Sequence, residues 1–168
     1  GKGSDDIYHF ADINLFNRPH DVQLPVVTDH SVPSNPPNTP GQLTAEEEND
    51  KQSLEQLKFL YDYNSARLLA ESRQILDKAA EVMKRRPDWK IIISSYADSR
   101  GTDQYNTDLS ALRCISVIDY LSGKGIDPSR LYYANKGEME PVNGCKDGVP
   151  CNEQEYRQNR RSELKVIW

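Results

Sequence analysis

The 168-residue chain sets 21 Lys and Arg against 26 Asp and Glu, a net charge of −5, and only 36% of its residues are hydrophobic, with a mean hydropathy of −0.78. That length supports one hydrophobic core plus some tail; no run nears the roughly 18 consecutive apolar residues of a membrane-spanning helix, and the N-terminus lacks a basic segment followed by an apolar one. A pI of about 5.2 argues against nucleic acid as the main partner, because such binders carry a basic stripe.

Six of the ten prolines, Pro19, Pro25, Pro33, Pro36, Pro37 and Pro40, fall in the first forty residues. Between Ser31 and Gly41 there is almost no apolar side chain, and proline fixes φ while removing a backbone donor, so this stretch reads as an extended linker. Ahead of it, Ile7 to Phe16 (IYHFADINLF) is apolar enough to pack on another surface. Residues 1–52 are therefore expected to be an arm and linker, and residues 53–168 a single domain.

Within that domain, the aromatic-rich Leu57 to Tyr63 (LKFLYDY) suits a short first strand. Leu68, Ser72, Ile75, Leu76, Ala79 and Met83 then recur at helical spacing, and Pro87 ends the helix. Trp89 to Tyr96 (WKIIISSY) reads as a covered strand. A second helix is expected from about Asp103 to Ser122, stopped by Gly123 and Gly125. Leu131 to Ala134 and Ser162 to Trp168 read as the last two strands, with Leu164, Val166 and Trp168 on one face of the latter. The predicted order, β-α-β-α-β-loop-β, is an α+β sandwich with helices packed on one side of a small mixed sheet.

The segment Tyr96 to Leu121 (YADSRGTDQYNTDLSALRCISVIDYL) carries most of the chemistry. At 100° per residue, Ser110, Cys114, Val117, Ile118 and Leu121 form a core stripe, with Asn106, Leu109, Arg113 and Tyr120 beside it. Arg113 is thus expected at the edge of the buried surface with its guanidinium partly free. Asp98 ends the preceding strand in a Gly-containing turn that leads back to the helix. This brings Asp98, Arg113 and the backbone N–H groups near Thr102 and Asp103 towards one pocket.

Other chemistries find little support. His9, His20 and His30 all lie in the proline-rich arm with no Cys or carboxylate at metal-ligand spacing. Asp98, Asp103 and Asp108 recur at five-residue intervals, which misses the EF-hand pattern. With no histidine in the domain to activate a Ser or Cys nucleophile, no enzyme, no metal and no cofactor is expected.

The ordered set Asp98, Gly101, Asn106, Leu109-Ser110, Arg113, Val117 and Leu121 follows the pattern of an acidic turn and N-x-x-L-S-x-x-R. Upstream stands Phe59 to Leu68 (FLYDYNSARL); downstream stand Gly137-Glu138 with Pro141, and Asn159-Arg160-Arg161 with Glu163. In these residues the chain resembles the OmpA-like peptidoglycan-binding domain, found also in Pal lipoproteins and MotB stator proteins. The resemblance covers about residues 53–168. It departs from the family at Ser95-Tyr96-Ala97, where many members have Gly-His-Thr, and at Cys114, where Ala is usual.

The resemblance implies a non-catalytic module that binds the peptide stem of bacterial peptidoglycan at diaminopimelate. The free end of that residue is a zwitterion, so Asp98 would accept from the ammonium and Arg113 would grip the carboxylate bidentately. Asn106, the N–H groups near Thr102 and Asp103, Leu109 as an apolar wall, and Arg160 or Arg161 at the rim complete the candidate site. Plainer roles compete: local hydrogen bonding for Asn106, packing for Leu109, and structural pairing for the two arginines, one of them with Glu163. The implied setting is the periplasm of a Gram-negative bacterium, associated with the outer membrane through an anchor outside this chain. The implied partners are peptidoglycan and, in a Tol-Pal-like alternative, other envelope proteins.

Cys145 and Cys151 bracket a Gly- and Pro-containing loop (CKDGVPC), and two cysteines so placed outside a helix can close a small disulfide in an oxidising compartment. Cys114, on the core stripe, is expected as a buried free thiol.

Overall fold

The computed structural model describes residues 43–168, so the apolar arm and the proline-rich linker lie outside the described residues. The chain runs α1 (Ala45–Glu55), β1 (Lys58–Leu60), α2 (Ala70–Arg85), β2 (Lys90–Ser95), α3 (Asp103–Gly123), β3 (Leu131–Asn135), α4 (Glu153–Asn159) and β4 (Arg161–Ile167). The four strands form a mixed sheet in the order β1-β4-β2-β3. β2 and β3 are parallel, joined by α3 as a crossover helix, while the last strand enters between β1 and β2 and runs antiparallel to both.

Alternation along the strands selects one face for the core. Ile91 and Ile93 of β2 and Leu164 and Val166 of β4 pack with Leu76, Ala79 and Met83 of α2 and Val117, Ile118 and Leu121 of α3. α2 and α3 thus share one side of the sheet, as expected, and Leu54 of the unexpected α1 joins the same cluster. Each of the Ile, Leu, Val and Met side chains, once fully buried, contributes about 1.5–3 kcal/mol from apolar area alone.

The folded unit starts earlier than the expected boundary between residues 52 and 53, which falls inside α1. Thr44 caps that helix in a reciprocal box with Glu47. Asp50, 5% exposed, pairs with Arg85 Nη2 at 2.8 Å and Arg86 Nη2 at 2.7 Å on α2. Glu55 accepts a hydrogen bond from the Val166 N–H. α1 is therefore bolted to both α2 and β4.

A second departure lies between β3 and β4, where the sequence pattern predicts a loop and α4 forms. Asn152 caps it in a box with Glu155. The Cys145–Cys151 disulfide closes the loop just ahead of that cap, with the Cα atoms 5.9 Å apart. Cys114 is a buried free thiol, and burial pushes it up to about 12.

Candidate functional site

Asp98 reaches its position because the chain keeps pairing beyond the end of β2: the Tyr96 N–H donates to the Arg161 carbonyl and the Ala97 N–H to the Gly137 carbonyl. The turn that follows needs Gly101 at φ +109°, where a Cβ would meet the Tyr105 ring at 3.1 Å. Thr102 then caps α3, accepting from the Tyr105 N–H. Gly137 packs against this helix, with its N–H donating to Ser110 Oγ. Its neighbour Glu138 accepts from Asn106 Nδ2.

These elements form a small cleft, open to solvent, whose lining includes Asp98, Arg100, Asn106, Leu109, Arg113 and Arg160. The tyrosines Tyr63 and Tyr105 stand at its sides. Five of the eight residues expected from the sequence thus meet here. Thr102 and Asp103 do not line the cleft; both are exposed, the first being committed to the helix cap. Arg161 does not reach it either. It pairs with Glu163 at 2.8 Å, donates to the Glu140 carbonyl and stacks on Tyr96, which is the structural role weighed for it.

The cleft is built around one buried carboxylate. Asp98 is 4% exposed and accepts from Arg100 Nη2 at 2.6 Å and Arg160 Nη1 at 3.0 Å. Burial works to raise its carboxyl, but hydrogen bonds from Arg100 and Arg160 outweigh it and hold the group below the usual carboxylate range. Asp98 is therefore an anion at neutral pH. Arg160 is itself 2% exposed and is completed by the Tyr61 carbonyl and Glu153.

Arg113 departs from its expected edge position. It is fully buried, its guanidinium 4.7 Å from the Tyr61 ring, with Nε donating to the Ser65 carbonyl at 2.9 Å and Nη1 to the Tyr96 carbonyl at 2.7 Å. Nη2 lies 3.5 Å from the Asp62 carbonyl. The irregular chain between β1 and α2 turns the Asp62 and Ser65 carbonyls inward over the flank of α3, while the Tyr96 carbonyl comes from the chain just after β2. Burial pulls Arg113 down to about 10, so it stays cationic at neutral pH. It forms a charged floor.

Arg100 is a further cleft residue, one that the sequence pattern does not single out. Its guanidinium lies between the Tyr63 and Tyr156 rings, 4.2 Å from each centroid, and bonds both Asp98 and Glu153. A lone arginine in a glycine turn gives little signal, because its partners Tyr156 and Glu153 come from α4.

The OmpA family model matches residues 60–155 of the 168. This chain belongs to the OmpA family. The match takes in every named cleft residue except Arg160. Outer membrane protein A of Bordetella avium is 36% identical over 107 residues, covering 64% of this chain and 53% of that protein. The peptidoglycan-associated lipoprotein of Agrobacterium fabrum is 32% identical over 105 residues, covering 62% and 56%. The chain thus spans about half the length of these relatives. Among solved structures, the peptidoglycan-associated lipoprotein of Burkholderia pseudomallei superposes with a TM-score of 0.62 at 26% identity, over 68% of this chain and 93% of that one. The α+β architecture of this OmpA-family domain is therefore shared with a solved relative.

Proposed function

We propose that this OmpA-family domain binds the peptide stem of peptidoglycan without covalent chemistry, taking the free amino-acid end of diaminopimelate, and so ties an envelope protein to the cell wall. The observation that carries the reading is Asp98: a buried carboxylate kept ionised at the wall of an open cleft whose floor is the buried cation Arg113. A ligand presenting an ammonium beside a carboxylate matches a carboxylate set among cations, with Arg100 at the cleft mouth and Arg113 beneath. Leu109 supplies an apolar wall, and Asn106, anchored by Glu138, adds an amide at the helix end of the cleft.

The names of the relatives support the setting. Outer membrane protein A and peptidoglycan-associated lipoproteins belong to the Gram-negative envelope, which makes the periplasm, next to the outer membrane, the proposed location. The module acts by holding and not by catalysis. Exposed ion pairs contribute about 0–1 kcal/mol each, so the partial desolvation of Asp98 and Arg113 matters for a single site. Many copies on one polymer then hold firmly even if each is weak.

Co-sedimentation with purified peptidoglycan tests the reading. The parent pellets with the wall, while Asp98→Asn, which keeps the side-chain shape but not the charge, stays in the supernatant with an unchanged circular-dichroism spectrum. A folded Asp98→Asn variant that pellets as fully as the parent removes Asp98 from the binding site.

A further inference from the structure

As the cleft stands, Asp98 has no acceptor direction left for a ligand. Its Oδ1 accepts from the Arg100 backbone N–H at 3.1 Å and Arg100 Nε at 3.2 Å, and its Oδ2 from Arg100 Nη2 at 2.6 Å and Arg160 Nη1 at 3.0 Å. A carboxylate offers about four such directions. An ammonium can reach Asp98 only if a donor withdraws.

Two of the donors are fixed. The backbone N–H belongs to the turn, and the Arg160 side chain, 3% exposed, is pinned by the Tyr61 carbonyl and Glu153. The Arg100 side chain differs: it is 30% exposed at the cleft mouth, held by two tyrosine faces and by Glu153, which is 60% exposed. Stacked guanidinium can slide between aromatic faces and keep its cation–π contact.

We propose that Arg100 is the specificity filter of the cleft: it occupies Asp98 in the absence of ligand and yields only to a ligand whose ammonium carries a neighbouring carboxylate, which Arg100 then binds. This rests on the reading of Asp98 as the ammonium acceptor. When an ammonium takes the places of Arg100 Nε and Nη2, that fork loses its anion while the two rings keep it at the mouth. In an amino-acid terminus the carboxylate hangs from the same carbon as the ammonium. It therefore arrives beside the vacated donors and takes them bidentately. An amine with an uncharged neighbour offers Arg100 nothing in exchange, and displacing it leaves Nε–H and Nη2–H without their acceptors, with Glu153 holding Nη1 alone. Arg113 cannot make the same exchange cheaply, since its Nε and Nη1 already serve the Ser65 and Tyr96 carbonyls.

The test is calorimetric titration with two probes: the tripeptide L-Ala-γ-D-Glu-meso-diaminopimelate, and the same tripeptide with the carboxylate at the free end of diaminopimelate converted to a carboxamide. The parent prefers the free acid, and Arg100→Ala shrinks that preference by roughly threefold to tenfold, in part because the carboxamide binds better once Asp98 is vacant. Arg100→Gln gives the same direction should the alanine variant fold poorly. A parent that binds both probes equally, or an Arg100 variant that keeps the parent's preference, overturns the filter. Asp98→Asn separates the two ideas: if it loses both probes while Arg100→Ala keeps the preference, only the filter falls, whereas if it binds the free acid like the parent, the ammonium reading of Asp98 falls.

Discussion

Asp98 and Arg160 form an ion pair at 3.0 Å in which the two side chains are only 4% and 3% exposed. The strand end after β2 and the residue that links α4 to β4 are thereby joined across the cleft. Removing one member of such a pair strands the other in a poorly hydrated place. Arg160→Ala is expected to lower the unfolding free energy by about 3 kcal/mol. Urea denaturation measures this, and the loss shrinks when Asp98→Asn is already present, because the stranded charge is then gone.

Acid should reveal the same carboxylate. Asp98 is held below its unfolded value of about 3.9, so its contribution to stability is complete above that pH and is lost as pH falls through the lower folded value. The stability difference between the parent and Asp98→Asn is therefore expected to stay level from neutral pH down to roughly pH 5 and to close below roughly pH 4. Denaturant titrations across that range check it, and taking the difference cancels the other carboxylates.

The disulfide holds the loop that delivers α4, and α4 carries Glu153 and Tyr156, both of which touch Arg100. Replacing Cys145 and Cys151 by Ser is expected to cost about 2 kcal/mol on the chain-entropy account of so short a loop. It should also loosen the Arg100 clamp, raising amide hydrogen exchange in residues 152–159 ahead of the core strands. Thiol titration of the unfolded parent should find one free thiol, that of Cys114.

The position of the domain boundary is equally open to test. A chain starting at Ser53 lacks Thr44, Glu47 and Asp50, and so loses the helix cap and the buried pairs with Arg85 and Arg86. It is expected to unfold at a lower temperature than a chain starting at Leu43, with a stability loss on the order of 2 kcal/mol or more. Thermal melts of the two chains, followed by circular dichroism, check it.

The central sheet, α2 and α3 were legible in the sequence because burial imposes a period: the α3 stripe Ser110, Cys114, Val117, Ile118 and Leu121 is buried throughout. α1 escaped because its sequence, AEEENDKQSLE, is polar on nearly every side and buries only Asp50 and Leu54. The cap signals Thr44 to Glu47 and Asn152 to Glu155 were the available clues to α1 and α4. For the site, spacing along one helix placed Arg113 and Asn106 correctly on α3. It could not show that the chain after β1 folds over Arg113, nor that α4 returns to clamp Arg100, since both are contacts between distant segments.

The most direct measurement of the central claim is a two-dimensional NMR titration, including the arginine Nε–H signals, with free meso-diaminopimelate. Binding at this cleft predicts saturable shifts confined to Asp98, Arg100, Asn106, Leu109 and the side-chain signals of Arg100 and Arg113, all absent in Asp98→Asn. Saturable shifts centred away from the cleft, or shifts that persist unchanged in Asp98→Asn, would contradict it.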